Sequence, residues 1–229
     1  APNLSGGSPV NALVGLADGE HPIGLTTLSP DSLGLALGTR YGVVKRVNPE
    51  VLTKDSWDVI RLDDGDSLVG AAELTSADVE LVFITSDAQL LHFPAATVRP
   101  QGRSGGGMAG IKLANKQHAI WFGTVDPTLP AVVVSVSGTS TVLPGIQTGN
   151  VKVTPFSEYP GKGRATGGVR CHRFLKGEDL LLIGWAGAEP AVATAASGSP
   201  ITLPPATGKR DGSGTPTLQP ITAVASRTL

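Results

Sequence analysis

Short apolar runs recur along the chain between clusters of Gly, Pro, Asp and Asn. The clearest are Val43-Val44, Leu81 to Thr85, Ala131 to Val136 and Leu180 to Ile183. They are rich in Val, Ile and Thr and bounded by turn residues, so they predict strands. Thirty Gly and eighteen Pro among 229 residues break the chain too often for long helices. Many short strands of this kind predict an all-β sandwich, barrel or propeller.

The runs are not independent, because two landmarks repeat. The first is a turn of the form Leu-x-x-Gly-Glu/Asp ahead of a strand. It occurs at Leu16 to Glu20, at Leu62 to Asp66, and one residue shorter at Leu175 to Glu178. A worn copy runs from Leu113 to Gln117. A fifth survives only in its strand, where Gln219-Pro220-Ile221 matches His21-Pro22-Ile23. The second landmark is a tight turn at Gly42, Ala88, Gly149 and Gly198, at intervals of 46, 61 and 49 residues. The long interval holds extra sequence between Ser135 and Gln147. A unit of about 45–50 residues is the length of a four-stranded propeller blade. The chain therefore reads as one domain over 1–229, with units at 31–77, 78–127, 128–187 and 188–229 after a partial unit at 1–30. Because it opens on Ala1 and midway through a unit, it reads as a piece of a longer protein.

Charge changes the picture through its distribution. The net charge is −1, yet residues 1 to 98 hold 5 Lys/Arg against 13 Asp/Glu, and residues 99 to 229 hold 13 against 6. Such asymmetry suggests one half that faces a polyanion and one that does not. A single cysteine, Cys171, excludes an internal disulfide. No apolar stretch approaches the roughly 18 residues of a membrane span, and no signal-peptide pattern is visible.

The later units place Gly and Arg/Lys in the same loop. These are Gln101 to Gly107, with Arg103 and nearby Lys112; Gly161 to Gly168, with Lys162 and Arg164, followed by Arg170 and Arg173; and Gly208 to Gly214, with Lys209 and Arg210. The first unit has only Ser5 to Ser8, and the second Lys54 to Trp57. Glycine lets the main chain approach a surface and bare its N–H groups, while Arg offers a planar fork that fits phosphate oxygens. Set at intervals around a disc, such loops would hold duplex DNA by its backbone and bend it. Arg40, Lys45 and Arg46 in the acidic half are secondary candidates, although Lys on an edge strand also serves to block aggregation.

With its segments Glu80 to Ala88, Val151 to Tyr159 and Gly163 to Arg170, the pattern resembles the C-terminal β-pinwheel domains of bacterial type IIA topoisomerase A subunits, those of DNA gyrase and topoisomerase IV. The resemblance implies an all-β, propeller-like disc of about five four-stranded blades. It also implies a non-catalytic domain that binds and bends the transported double-stranded DNA. The catalytic tyrosine would lie in a region absent from this chain. The parent enzyme would use ATP and Mg, form a dimer through its A subunits, work with a separate ATPase B subunit, and act in the cytoplasm at the nucleoid. No cofactor is expected in this domain and no membrane partner. The family carries a box Gln-Arg/Lys-Arg-Gly-Gly-Arg/Lys-Gly. Here Gln101, Arg103, Gly105 and Gly107 match it, while Gly102, Ser104 and Gly106 depart from it. Two of three charges are missing, which is closer to topoisomerase IV and puts strong wrapping in doubt.

Rival readings are weaker. Gly102-Arg-Ser104-Gly-Gly106 formally matches a hydrolase elbow, but no helical segment follows Ser104. Leu62 to Asp66 lacks calcium-loop spacing and reads as a turn. His21, His92, His118 and His172 show no metal-ligand spacing; His172 reads as a surface residue near phosphate. Trp121 and Trp185 fall in apolar strands and read as core, whereas Trp57 sits in a loop where it is a candidate contact. A different class of function, a propeller-like scaffold for protein partners that docks through the acidic half, fits the repeat equally.

Overall fold

The computed structural model describes residues 10–227 apart from 28, 30, 51 and 144; the Ser5 to Ser8 loop lies outside the described residues. Among the described residues there is no α-helix, and sixteen strands form four small sheets. The first sheet is built on β1 (Leu35–Thr39), β2 (Val43–Val47) and β3 (Leu68–Glu73). The second holds β4 (Glu80–Thr85), β5 (Gln89–Pro94) and, further on, β8 (Ala119–Val125). Between these last two lie β6 (Pro100–Gln101) and β7 (Met108–Ala109), and both pair with β2 of the first sheet.

The same exchange recurs. The third sheet consists of β9 (Ala131–Gly138), β10 (Asn150–Pro155) and β12 (Leu180–Ala188). The intervening β11 (Val169–Arg170) pairs back onto β5. The fourth consists of β13 (Ala191–Thr194), β14 (Pro200–Ile201) and β16 (Ala223–Ser226), and its intervening β15 (Thr215–Pro216) pairs back onto β10. Each of the first three sheets therefore receives its outermost strand from the stretch of chain that builds the next one. The Gly/basic loops are the crossings by which that strand arrives.

Both faces of the middle sheets are buried, which explains continuous apolar runs where a half-exposed strand would alternate. Along β4, Leu81 and Phe83 pack toward the first sheet with Ala36, Val44 and Phe122. Val82 and Ile84 pack toward the third, with Val133, Leu181 and Tyr159. On the far face of β9, Val132, Val134 and Val136 meet Ala193 of the fourth sheet and Ile221, just ahead of β16. The inner strands β3, β8, β12 and β16 line a common axial opening. Trp121 and Trp185 also line it, each packed on one core cluster. Ile23 of the N-terminal segment reaches the same opening, and Thr27 of that segment donates two hydrogen bonds to the Glu73 carboxylate of β3, at 2.9 and 2.7 Å.

The first landmark is a turn with positive φ at Gly19, Gly65 and Gly177, and the worn copy makes it at Lys116, φ 64°. Neighbouring sheets approach closely. A Cβ on Gly38 would fall inside the Phe122 ring, and one on Gly184 would overlap Ile84. Gly38→Ala should therefore destabilise the fold by roughly 1–3 kcal/mol through overpacking. A lowered thermal midpoint checks this, against Gly15→Ala, where no atom stands within 4 Å of the added Cβ and the midpoint should hold.

Candidate nucleic-acid interface

The three Gly/basic loops share a register that only their outer strands reveal. Arg103, Arg164 and Arg210 each precede the last residue of the outer strand by the same six positions, and Gly107, Gly168 and Gly214 each follow the Arg by four. Past the strand, the amides of Gly110, Cys171 and Thr217 donate to the carbonyls of Gly42, Ala88 and Gly149, at 2.8, 2.8 and 2.9 Å. The signal is present in the sequence as Arg-x-x-x-Gly. A search for boxes by composition passes over it, because only these two positions persist.

Neighbouring loops touch. The Arg164 guanidinium donates to the carbonyl of Ala109 at the end of β7, and Lys112 N donates to Thr166 O at 2.9 Å. One step on, Arg210 donates to the carbonyl of Arg170 at the end of β11, at 3.4 Å, and Arg173 N donates to Gly212 O at 3.0 Å. Lys112, Lys162, Arg164, Arg170, Arg173, Lys209 and Arg210 are thereby brought along one continuous edge. Lys112, Lys162, Arg170, Arg173 and Lys209 are exposed, and Arg164 and Arg210 half-buried. Among the described residues, the only Lys or Arg that meets a carboxylate is Arg103, with Glu50; His92 Nδ1 also lies 2.9 Å from Glu80 Oε2. The seven cations of this edge meet no carboxylate.

Other candidates are placed differently. Lys45 is fully buried, and its ammonium donates to the carbonyls of Val59, Arg103 and Gly105 at 2.8, 2.9 and 2.7 Å. Desolvation holds its pKa below the ordinary lysine value. Arg46 is half-buried and donates to Ala95 O and Val98 O. Neither can reach a phosphate, and neither guards an edge, since β2 is paired on both sides. The direction of each cation depends on which strand comes to lie beside it. Arg40 is exposed at the β1–β2 turn, near His118. Gln101 faces its own loop, accepting from Gly107 N at 2.9 Å and donating to Gly107 O at 3.2 Å. Trp57 is half-buried and shares a cavity of about 290 Å³ with Arg103, Glu50 and Asp55.

Lys152, on β10, repeats the role of Lys45, and nothing in the sequence singles it out. It is 5% exposed, and its ammonium donates to the carbonyls of Lys209 and Arg210. Desolvation brings its pKa down to about 8. A buried ammonium under each of two loops satisfies main-chain carbonyls that would otherwise lack partners.

His172 also departs from its expected place: it is 1% exposed and not a surface residue. Gly214 N donates to its Nε2 at 3.2 Å, so Nδ1 carries the proton and donates to Ser135 Oγ at 2.9 Å. The neutral ring ties the end of one basic loop to β9. Desolvation, with a smaller contribution from the Lys152 charge, lowers its pKa to about 4 from an ordinary 6.5. The unfolded chain therefore takes up a proton that the folded one refuses. Stability should be complete above pH 6.5 and decline as pH falls toward 4. Denaturant midpoints across this range should show a smaller decline in His172→Asn than in the native chain.

Comparison with known proteins agrees with this architecture. A family described as the DNA gyrase C-terminal domain, beta-propeller, matches residues 80–126 and 147–182. The chain is 37% identical over 102 residues to the topoisomerase subunit TopoM of Mycolicibacterium smegmatis, covering 44% of this chain and 13% of that protein. It is 29% identical over 179 residues to the A subunit of DNA gyrase from Salmonella typhimurium, covering 73% of this chain and 19% of that protein. The chain thus spans less than a fifth of the length of these relatives. A crystal structure of the C-terminal domain of DNA topoisomerase IV superposes with a TM-score of 0.75 at 16% identity, covering 96% of this chain and 70% of that one.

Proposed function

We propose that this chain, which belongs to the family of C-terminal domains of type IIA topoisomerase A subunits, binds duplex DNA through its phosphate backbone along the edge formed by the Gly/basic loops. The observation that carries the reading is the loop-to-loop contact from Ala109 through Arg164 and Arg170 to Arg210, which aligns cations free of carboxylate partners. The edge belongs to the outermost strands, so a duplex lying on it follows the curve of the disc and is bent. The contacts come from Lys, Arg and bare main-chain N–H groups, which grip phosphates and carry little sequence information.

In this reading the domain is non-catalytic and positions the DNA segment that the parent enzyme transports. Strand cleavage, the use of ATP and Mg, A-subunit dimerisation and the B-subunit partner belong to the rest of that enzyme, acting at the cytoplasmic nucleoid. With Arg103 the one remaining charge of the box, the parent stands nearer topoisomerase IV than gyrase.

A protein-scaffold role is favoured by a separate observation. The long β9–β10 loop is clamped by Gln147 and Asp179, yet it exposes Val142, Leu143 and Ile146. This surface has no charge with which to hold a phosphate, so it suits a protein contact beside the DNA edge and not in place of it.

Backbone binding predicts that log affinity falls with log salt by about 0.9 per neutralised phosphate. Replacing Lys162, Arg170, Arg173 and Lys209 together by Ala should flatten that slope by about 3 to 4 and weaken all duplex sequences alike. Fluorescence anisotropy with two unrelated duplexes reads both quantities. A slope unchanged by the four substitutions rejects the edge as the binding surface.

A further inference from the structure

We infer that Glu50 withholds Arg103 from DNA and so sets the end of the DNA track at the first sheet; this rests on the backbone-binding reading above. The shared loop register makes the three arginines comparable. Arg164 and Arg210 each anchor on a main-chain carbonyl at the end of the preceding outer strand. A carbonyl accepts a hydrogen bond without cancelling the guanidinium charge, so both side chains remain cations toward a phosphate.

Arg103 holds the equivalent position, but its loop serves the first sheet, and among the described residues no earlier sheet offers a donated strand end on which it could anchor. Its Nε instead meets the Glu50 carboxylate at 3.1 Å, with both side chains partly exposed. A carboxylate there cancels the charge and competes directly with a phosphate oxygen for the same N–H groups. A second carboxylate, Asp55, lines the cavity shared by Glu50, Trp57 and Arg103, while on the Ser104 side Asp58 is offset by Lys54. The loop that best preserves the family's box in sequence is thus the one whose arginine is neutralised. The track runs over the later loops and stops short of the acidic first sheet.

An exposed pair of this kind contributes little to folding, so its charge can be removed without loss of structure. Glu50→Gln keeps the side-chain shape and frees Arg103. On linear duplex DNA, its affinity at low salt should rise by about 3- to 10-fold and its salt slope steepen by about 0.9. Arg103→Ala should barely change affinity in the native chain, yet abolish the gain when combined with Glu50→Gln. The inference is overturned if Glu50→Gln alters neither affinity nor slope. It is equally overturned if Arg103→Ala in the native chain weakens binding as much as Arg170→Ala does. If the native chain and every variant fail to shift duplex at low salt, the backbone-binding reading itself falls, and this inference with it.

Discussion

The structure depends on one exchange: each of the first three sheets lacks an outer strand until the following stretch of chain supplies it. A three-stranded sheet in this position would leave β2, β5 or β10 with unpaired main-chain groups on its outer side, a costly and aggregation-prone edge. Donation of β6 and β7, β11 and β15 closes those edges. It also links every sheet covalently to its neighbour. Burial on both faces follows, because a sheet tied to the next in this way must pack against it. Gly38 of β1 and Gly184 of β12 then allow the approach that Phe122 and Ile84 of the second sheet require.

The same exchange decides what each cation does. A crossing loop must turn sharply over the sheet it serves, and its carbonyls point inward, where water is scarce. Lys45 and Lys152 stand beneath two such loops and meet those carbonyls with buried ammonium groups. Their positive charge is consumed in holding the loop. Apart from Arg103, which meets Glu50, the basic side chains of the loops themselves keep theirs. A division of labour therefore exists between strand lysines that fasten a loop and loop cations that face solvent. His172 belongs to the first group, although it fastens as a neutral ring.

An edge of this kind is suited to a partner that presents a regular ladder of charge. Successive loops touch, so the main chain that carries these cations is already ordered when a duplex arrives, and Arg164 and Arg210 are held in place as well. Electrostatic attraction acts over about a Debye length, roughly 8–10 Å at physiological salt, so it depends on cations that remain uncompensated. The Arg103–Glu50 pair shows how one carboxylate can remove a member of the series without altering the fold.

The sequence alone determined that the chain is all-β and repetitive, because turn residues and β-branched runs act locally and recur at blade spacing. Landmark turns at Gly65 and Gly177 follow from local backbone preference, whereas Lys116 adopts the same positive φ against its own. It also made the Gly/basic loops visible and, through the segments around Glu80, Val151 and Gly163, pointed to the family. What it could not determine was direction. Lys45 and Lys162 are the same residue type near similar turns, yet one is buried under a loop and the other is exposed. That outcome is set by strands brought in from dozens of residues away. The chain specifies which groups are charged; tertiary pairing decides which carbonyls, carboxylates or solvent they face, because those partners are distant in sequence and meet only when the sheets close.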